Sequence, residues 1–180
     1  MKKEDYLDIE RKLGYTFENK GLLRQAFVRR TFALENGGAD NEILEFVGDQ
    51  ALDAVATRLL VTRYGEFAPL FTHDEKCALR EFCCTKTEGE PTELKKELVK
   101  RETLARCITS LGFAQYLIMG KGDIKNRIDR EEKVKEDVFE ALIGAVTIDS
   151  NWNLDAIYTA VDHLLHPDEI LHAHPLRQDN

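Results

Sequence analysis

The chain has 180 residues, of which 43% are hydrophobic and 32% are charged, and its formal net charge is −8. These values describe a globular protein with one sizeable core and exclude a fibrous or intrinsically disordered chain. The acidic balance also argues against a protein that holds nucleic acid through overall basicity, so any such contact must use local basic patches or metal ions.

No run of apolar residues approaches the length of a membrane span. The amino end, MKKEDYLDIERKLGYTF, turns acidic where a signal peptide would turn hydrophobic. We therefore expect a cytoplasmic protein without a membrane anchor. In that compartment its four cysteines are expected to be reduced thiols and not a disulfide framework.

Apolar residues recur with the 3.6-residue period of an α-helix along nearly the whole chain, and no stretch alternates strictly enough to predict a strand. The predicted fold class is therefore all-α. In chain order, we expect helices at about 3–13, 19–27, 41–64, 92–110, 113–118 and 133–149, and a last one that Asn153 caps.

Three segments interrupt this pattern. Residues 66–85 look like an insertion, in which we expect a short helix at about 74–83 and buried free thiols, since its cysteines lack the C-x-x-C spacing of a zinc site. The polar connection GKGDIKNRIDREEK is expected to be mobile and irregular. The predicted organisation is one domain at 1–165 followed by a polar, proline-broken tail at 166–180.

The helix predicted at 41–64 carries a line of acids on an otherwise apolar surface. Glu42, Glu45 and Asp49 stand at i, i+3 and i+7, and at about 100° per residue they fall within roughly a 60° sector. Like charges stacked one turn apart repel each other, so the arrangement costs stability unless a cation lies between them. A solvated stripe paired with lysine or arginine is the ordinary alternative.

The helix predicted at 133–149 repeats the design with Asp137 and Glu140 at i and i+3, and Gly144 lies one turn further along the same face. A glycine there lets a second helix backbone approach closely, which would bring both acidic stripes into one pocket. The four oxygen donors would then be Glu45, Asp49, Asp137 and Glu140. Such ligands suit Mg²⁺ or Mn²⁺ and not zinc, and carboxylate-held Mg²⁺ normally serves phosphate chemistry.

Two segments carry a family resemblance. NEILEFVGD at 41–49 and EDVFEALIGAVTIDS at 136–150 resemble the two signature segments of the ribonuclease III family of double-stranded-RNA endonucleases. The stretches LGYTFENKGLLRQAFVRRTFALENG at 13–37 and LKKELVKRETLARCITSLGFAQYLIMGKGD at 94–123 are similar to the amino-terminal and central portions of the same family. The resemblance therefore covers most of the chain, in the family's order.

The resemblance implies an all-α catalytic domain that acts as a homodimer. It implies metal-assisted hydrolysis of double-stranded RNA to 5′-phosphate and 3′-hydroxyl ends, as in RNA processing, with Mg²⁺ as cofactor and Mn²⁺ as a substitute. The implied catalytic and metal-binding residues are Glu45, Asp49, Asp137 and Glu140. Further acids of the family pattern match Glu42 and Glu88, and Phe46 becomes a candidate for the dimer interface, with ordinary core as the alternative.

The chain departs from the family pattern in three ways. The family usually has a His-Arg pair where this chain has Arg29 and Arg30, and a small residue where this chain has Glu136. We expect Glu136 to point to solvent, and the alternative is that its extra charge alters the affinity for metal. Many members also append a double-stranded-RNA-binding domain that this sequence does not include. Either this sequence is part of a longer protein, or the protein works without that domain. In the second case it would resemble the mini-ribonuclease III branch or depend on a separate RNA-binding partner that brings the substrate.

Candidates for contacts with RNA phosphates are Arg29, Arg30, Lys95, Lys96, Lys100, Lys121 and Lys125. For the lysines at 95–100 the alternative is a self-paired helix face, because Glu97 with Arg101 and Glu102 with Arg106 have the favourable i,i+4 order. The loop around Lys121 is favoured because its glycines would let the backbone approach a ligand.

Two other functions stay open from the sequence. An all-α, Mg²⁺-dependent nucleotide pyrophosphatase also pairs acids at i and i+3, but its two pairs usually lie close in sequence, whereas Glu45 and Asp137 lie in opposite halves of this chain. A non-catalytic RNA-binding scaffold with the ribonuclease III fold is the second alternative. Such scaffolds typically lose ligands, and this chain keeps all four acids.

Overall fold

The computed structural model describes residues 1–69, 80–87 and 89–173. The helices in these ranges are α1 Lys3–Leu13, α2 Lys20–Gln25, α3 Arg30–Asn36, α4 Glu42–Tyr64, α5 Glu90–Val99, α6 Arg101–Ser110, α7 Lys121–Asn126, α8 Glu132–Asp149, α9 Leu154–Leu165 and α10 Pro167–Ala173. Single 3-10 turns occupy Phe113–Tyr116 and Ile128–Arg130, and two strands are β1 Gly65–Pro69 and β2 Arg80–Cys84. The all-α fold class is confirmed, with one hairpin as the exception.

The bounds of the helices predicted at 3–13, 41–64 and 133–149 agree with the structure to within one residue, and clear local signals mark several helix ends. Gly14 ends α1 in the left-handed region, with φ of 65°, which a glycine adopts without strain. At the start of α9, the side-chain oxygen of Asn153 accepts hydrogen bonds from the backbone N–H groups of Asp155 and Ala156. Such a cap satisfies donors that have no partner within the helix.

Helix α8 is the centre of the fold. Its residues Val138, Phe139, Leu142, Ile143 and Val146 are all fully buried, and it packs against α4, α6 and α9. Full burial of a side chain of this size stabilises the fold by about 1.5–3 kcal/mol. The helix that carries the second acidic stripe is therefore held rigidly by its neighbours.

Helices α4 and α8 touch backbone to backbone. A Cβ atom added to Gly48 would lie 1.7 Å from the carbonyl oxygen of Glu140, and one added to Gly144 would lie 1.9 Å from the carbonyl oxygen of Leu44. Neither position can therefore hold a larger residue without separating the helices. The prediction that Gly144 permits a close helix approach is confirmed, and Gly48 supplies the matching glycine on α4.

The insertion contains an antiparallel hairpin. β1 pairs with β2, and the rings of Phe67 and Phe82 meet across it with centroids 5.2 Å apart. The helix predicted at 74–83 is wrong for residues 80–83, which belong to β2, and residues 74–79 lie outside the described residues. The five-residue strand β2 is too short for an alternation of apolar and polar residues to be recognised in the sequence.

The thiol burial expected in the insertion is wrong at both of its described cysteines. Cys83, Cys84 and Cys107 are free, but only Cys107 is buried, while Cys83 and Cys84 are exposed on β2. Cys77 lies outside the described residues.

None of the helices in the described ranges is long and apolar enough to cross a membrane.

Several short elements differ from the sequence expectation. The helix predicted at 92–110 is two helices, because Lys100 has an extended backbone between α5 and α6. Helix α3 was not predicted, and the connection at 120–133, expected to be irregular, contains α7 and a 3-10 turn. Helix α3 has seven residues, α7 has six and the 3-10 turn has three. None of them completes enough turns for a helical period of apolar residues to be recognised.

The tail predicted at 166–180 begins with a helix. In α10, Ile170 and Leu171 are buried and belong to the core, the helix packs against α5, and Asp168 pairs with Arg63 of α4. Pro167 fits because a proline at the first helical position has no N–H to satisfy. We therefore propose that the packed domain extends beyond 165 to include α10, whose two apolar residues were masked by polar neighbours in the sequence.

Candidate metal centre

Three of the four predicted acids meet at the crossing of α4 and α8. Glu45 comes from α4, and Asp137 and Glu140 come from α8; carboxylate oxygens of the three lie within 4.8 Å of one another. Asp137 is 6% exposed and Glu140 is 9% exposed. Buried carboxylates this close are unfavourable without a positive charge between them.

The glycine contact explains why these acids meet. Glu45 precedes Gly48 by three residues, and Glu140 precedes Gly144 by four, so each acid lies one turn before its glycine on the same helix face. At the crossing, the Gly48 backbone lies against the carbonyl of Glu140 and the Gly144 backbone against the carbonyl of Leu44, so the contact itself includes Glu140 and the neighbour of Glu45. The geometry derived from the sequence is reproduced for these residues.

Asp49, the fourth predicted ligand, lies at the rim of the cluster. Its side chain is exposed, and its Oδ2 accepts a hydrogen bond of 2.9 Å from the Gln50 amide. The side chains around it line a cavity of about 490 Å³, formed by Glu42, Glu45, Phe46, Asp49, Lys133 and Glu140. Asp49 therefore lies on the same cavity as Glu45 and Glu140 but outside the group of three converging carboxylates.

Two cationic side chains contact the cluster at Asp137. The Lys133 Nζ atom lies 2.7 Å from Asp137 Oδ1 and 3.4 Å from Glu45 Oε1. On the other side, an Arg29 guanidinium nitrogen donates a hydrogen bond of 3.0 Å to Asp137 Oδ2. The acidic stripe is therefore partly paired, as the ordinary alternative from the sequence expected.

Among the described residues, no cationic side chain pairs with Glu140. Within the part of the chain that the structure describes, no hydrogen bond or ion pair reaches its carboxylate. Burial raises the pKa of Glu140 to about 8, and the charges of Glu136, Asp49 and Glu45 act in the same direction, while Lys133 opposes them. Burial, followed by the charge of Asp137, also raises the pKa of Glu45.

The protonated form of Lys133 is strongly favoured at its position in the cluster. Partial burial opposes ionisation, but the close ion pair with Asp137 and the charges of Glu136 and Glu45 together raise the pKa of Lys133. The ammonium group therefore stays protonated over the whole physiological range.

Both the backbone and the side chain of Arg29 are held by contacts within the protein. Its N–H donates to the Ile118 carbonyl at 2.9 Å, next to an isolated bridge between Val28 and Ile118. Its side chain also forms an ion pair of 3.6 Å with Asp123. Although the sequence made Arg29 a candidate for RNA contact, its guanidinium is committed to two acids inside the protein.

The other candidates for RNA contact differ in whether they already form an ion pair within the chain. Arg30 pairs with Glu42 at 2.9 Å on the surface, so Glu42 faces a cation outside the acid cluster. Lysines 95, 96 and 100 pair with Asp53, Glu93 and Glu97, respectively, at 2.8, 2.7 and 2.5 Å. Among these candidates, Lys121 and Lys125 form no ion pair with a described residue, and both are exposed on α7.

Glu136 faces the cluster and not the solvent, so that expectation is wrong. Its side chain is 13% exposed and its Oε2 lies 2.8 Å from Arg101 Nε and 3.3 Å from Lys133 Nζ. Arg101, which the self-paired alternative placed with Glu97, here contacts Glu136 between α6 and α8. Glu88 lies outside the described residues, so its proposed place near the cluster stays a prediction.

Phe46 lies on the surface beside the cavity. Its side chain is 66% exposed, and Ile43, one turn earlier on α4, is 58% exposed. The alternative that Phe46 belongs to the core of this chain is therefore wrong. Two large apolar side chains on one exposed helix face are typical of a surface that is covered by another molecule.

Sequence reasoning missed Lys133, the residue that enters the cluster. Lys133 precedes Asp137 by four residues, a spacing that places a lysine and an acid on one helix face, so the signal was present. The contact of Arg29 with Asp137 had no local signal, because 108 residues separate the two.

Residues 19–154 match a family of proteins described as Ribonuclease-III-like. Ribonuclease 3 of Roseburia hominis is 45% identical over 175 residues, which are 95% of this chain and 49% of that protein. Ribonuclease 3 of Treponema succinifaciens is 37% identical over 158 residues, 87% of this chain and 40% of that protein. The chain thus spans about half or less of these curated relatives.

Solved structures give the same fold. The nuclease domain of ribonuclease III from Campylobacter jejuni superposes with a TM-score of 0.67 and 25% identity, covering 99% of this chain and 100% of that one. A second structure of that domain, which concerns flexibility in its region involved in dimer formation, also gives 0.67 and covers 87% and 94%. Dicer from Pichia stipitis has a TM-score of 0.59 at 22% identity, which shows the fold alone.

Proposed function

Because the chain belongs to the Ribonuclease-III-like family, we propose that it is a metal-dependent endoribonuclease that cleaves double-stranded RNA. The products carry 5′-phosphate and 3′-hydroxyl ends, and the reaction serves RNA processing. The observation that carries this proposal is the meeting of Glu45, Asp137 and Glu140 at a glycine-lined helix crossing, beside a cavity open to substrate.

The acids fit a divalent cation. They offer oxygen atoms only, as Mg²⁺ and Mn²⁺ prefer, and the buried Glu140 carboxylate lacks a partner in the described part of the chain. We propose Mg²⁺ as the physiological ion, with Mn²⁺ able to replace it, held by Glu45, Asp137 and Glu140 with Asp49 at the rim. When bound, such a cation neutralises phosphate oxygens and lowers the pKa of water.

The chain's own residues would hold and orient the reacting groups. Arg29 fixes the Oδ2 atom of Asp137, so this carboxylate presents its other oxygen to the cluster. The cavity beside Glu45 leaves room for a phosphodiester to approach from the side of Asp49. The two free lysines on α7, Lys121 and Lys125, are the preferred candidates for contacts with the RNA backbone, which is recognised through shape and phosphate.

A homodimer is part of the proposal. The exposed face of Ile43 and Phe46 adjoins the acid cluster, so a second copy that covers this face would place its own cluster along the same side of the assembly. A solved relative, the Campylobacter jejuni nuclease domain, has a region involved in dimer formation. A cytoplasmic location and a separate RNA-binding partner stay predictions.

The test is cleavage of a long RNA duplex by the purified protein with Mg²⁺. Glu140→Gln removes a buried ligand and should lower the cleavage rate by more than about 100-fold, the upper end of the cost of losing a group that supports a bound metal. Glu102→Gln removes a comparable charge from an exposed site on α6 and should leave the rate unchanged. Equal cleavage by wild type and Glu140→Gln would contradict the proposal.

One observation favours a second candidate function, that of a non-catalytic RNA-binding scaffold. The Lys133 ammonium already neutralises part of the cluster, as a permanent replacement for a metal would. A duplex that binds and stays intact in both Mg²⁺ and Mn²⁺ would select this function. Hydrolysis of nucleoside triphosphates in place of RNA would instead select the pyrophosphatase.

A further inference from the structure

Asp137 stands between two cations that are held very differently. Arg29 contacts Oδ2, and Lys133 lies beside Oδ1. The Arg29 side chain is 22% exposed, has a second acid partner in Asp123 and follows a backbone bridge to Ile118. The Lys133 side chain is 50% exposed and reaches the cluster only through its flexible stem.

The position of the Lys133 ammonium is the one that a shared cation would take. Its Nζ atom lies 2.7 Å from Asp137, 3.3 Å from Glu136 and 3.4 Å from Glu45. The first and last of these belong to the three acids whose oxygens converge. One monovalent group therefore contacts carboxylates from both α4 and α8, as a bridging ion does.

The charges around the cluster do not balance. The acids facing it are Glu45, Asp49, Glu136, Asp137 and Glu140, and the cations in contact with them are Arg29, Arg101 and Lys133. Glu140 is left without a contact to any of these cations. A divalent ion in the place of the ammonium would add one positive charge and also reach this carboxylate.

We propose that the Lys133 ammonium occupies the cation position in the metal-free chain and swings out to solvent when a divalent ion binds. Arg29 stays on Asp137 in both states. The inference depends on the metal site of the proposed function and adds a competition to it. Lys133 stabilises the metal-free cluster, and the same contact weakens the affinity for the metal.

The first test measures Mn²⁺ affinity by calorimetric titration of the EDTA-treated protein. Lys133→Met keeps a similar apolar stem and removes the competing charge, so Mn²⁺ should bind roughly 5-fold more tightly or better, as expected when an ion pair near the top of the surface range is removed. Lys135→Met is the matched control. This variant also removes one lysine charge, but Lys135 lies about 200° around α8 from Lys133 and forms no ion pair among the described residues.

The second test follows Lys133 itself in the wild type. In metal-free protein with ¹⁵N-labelled lysine, the paired ammonium should give a protected side-chain NMR signal, identified by its loss in Lys133→Met. Saturation with Mg²⁺ should move this signal to the position of solvent-exposed lysines. This measurement stays decisive even if a variant folds poorly.

The outcomes separate the inference from the proposed function. If the wild type binds no divalent ion, both are overturned. If the ion binds while the Lys133 signal stays unchanged, or if both lysine variants have the wild-type affinity, only the displacement is overturned. Tighter binding by Lys133→Met alone, together with release of the ammonium signal, supports both.

Discussion

Gly48 and Gly144 face each other across the crossing of α4 and α8: a Cβ on Gly48 would lie 2.8 Å from the Gly144 nitrogen, and one on Gly144 would lie 3.0 Å from the Gly48 nitrogen. The contact is reciprocal and involves backbone atoms, which cannot move aside as a side chain can. The distance between the two glycines therefore sets the distance between the acids one turn away.

Gly144→Ala should separate the helices and destabilise the fold. The added methyl overlaps backbone atoms of α4, and overpacking of this kind costs about 1–3 kcal/mol or more in the free energy of unfolding. Gly122→Ala is the control, because its Cβ would meet no atom within 4 Å and alanine favours α7 by about 1 kcal/mol. Urea denaturation of both variants checks the prediction, and an unchanged Gly144→Ala protein would contradict it.

Arg29→Gln should destabilise the protein with or without metal. The change leaves Asp137 facing Lys133 alone and Asp123 without its ion pair, and breaking a partly buried pair costs about 1–3 kcal/mol. Arg30→Gln removes an exposed pair with Glu42 and should cost less than about 1 kcal/mol. Equal unfolding midpoints in urea would show that Arg29 has no structural role at Asp137.

The contribution of Glu140 to the stability of the metal-free protein should fall as the pH rises. Because the folded state raises the pKa of Glu140 from 4.5 to about 8, it binds this proton more tightly than the unfolded state does. The contribution is fully present below pH 4.5 and is lost as the pH rises through about 8. Thermal unfolding in EDTA across this interval checks it.

Glu140→Gln is the control for this pH dependence, because the amide does not titrate. Its melting temperature should decrease less between pH 4.5 and about 8 than that of the wild type. Mn²⁺ competes with the proton, so its stabilising effect on the wild type should grow over the same interval. Parallel curves for the two proteins in EDTA would refute the assignment to Glu140.

Phe46→Ala should weaken the proposed dimer. The side chain is 66% exposed in the single chain, and an aromatic anchor at the centre of an interface typically contributes 2 kcal/mol or more. Phe67→Ala on the hairpin is the control, since Phe67 is 61% exposed but lies on the inserted hairpin and outside the cavity beside the acids. Light scattering after size exclusion should show a shift toward monomer for Phe46→Ala alone.

The sequence predicted the features that depend on helix periodicity. Glu45 and Asp49 on one helix, Asp137 and Glu140 on the other, and the glycine between the helices all follow from 3.6 residues per turn. The strands β1 and β2 and the short helix α3 could not be found this way, because each is shorter than the window over which a period is measurable.

The electrostatic environment was harder to predict than the acids themselves. The expectation that Glu136 points to solvent came from treating it as an extra charge, but Arg101 reaches it from α6, a contact between residues 35 positions apart. Arg29 reaches Asp137 from a loop much earlier in the chain. Such partners depend on tertiary packing, which a single sequence does not specify locally.

The central proposal is that Glu45, Asp137 and Glu140 hold one divalent cation together. Crystals grown with Mn²⁺ and measured at a wavelength where manganese scatters anomalously test it directly. We expect an anomalous peak bonded to oxygens of all three carboxylates, with the Lys133 side chain turned away. Crystals saturated with Mn²⁺ that show no peak there, and Lys133 still between Glu45 and Asp137, would contradict the account.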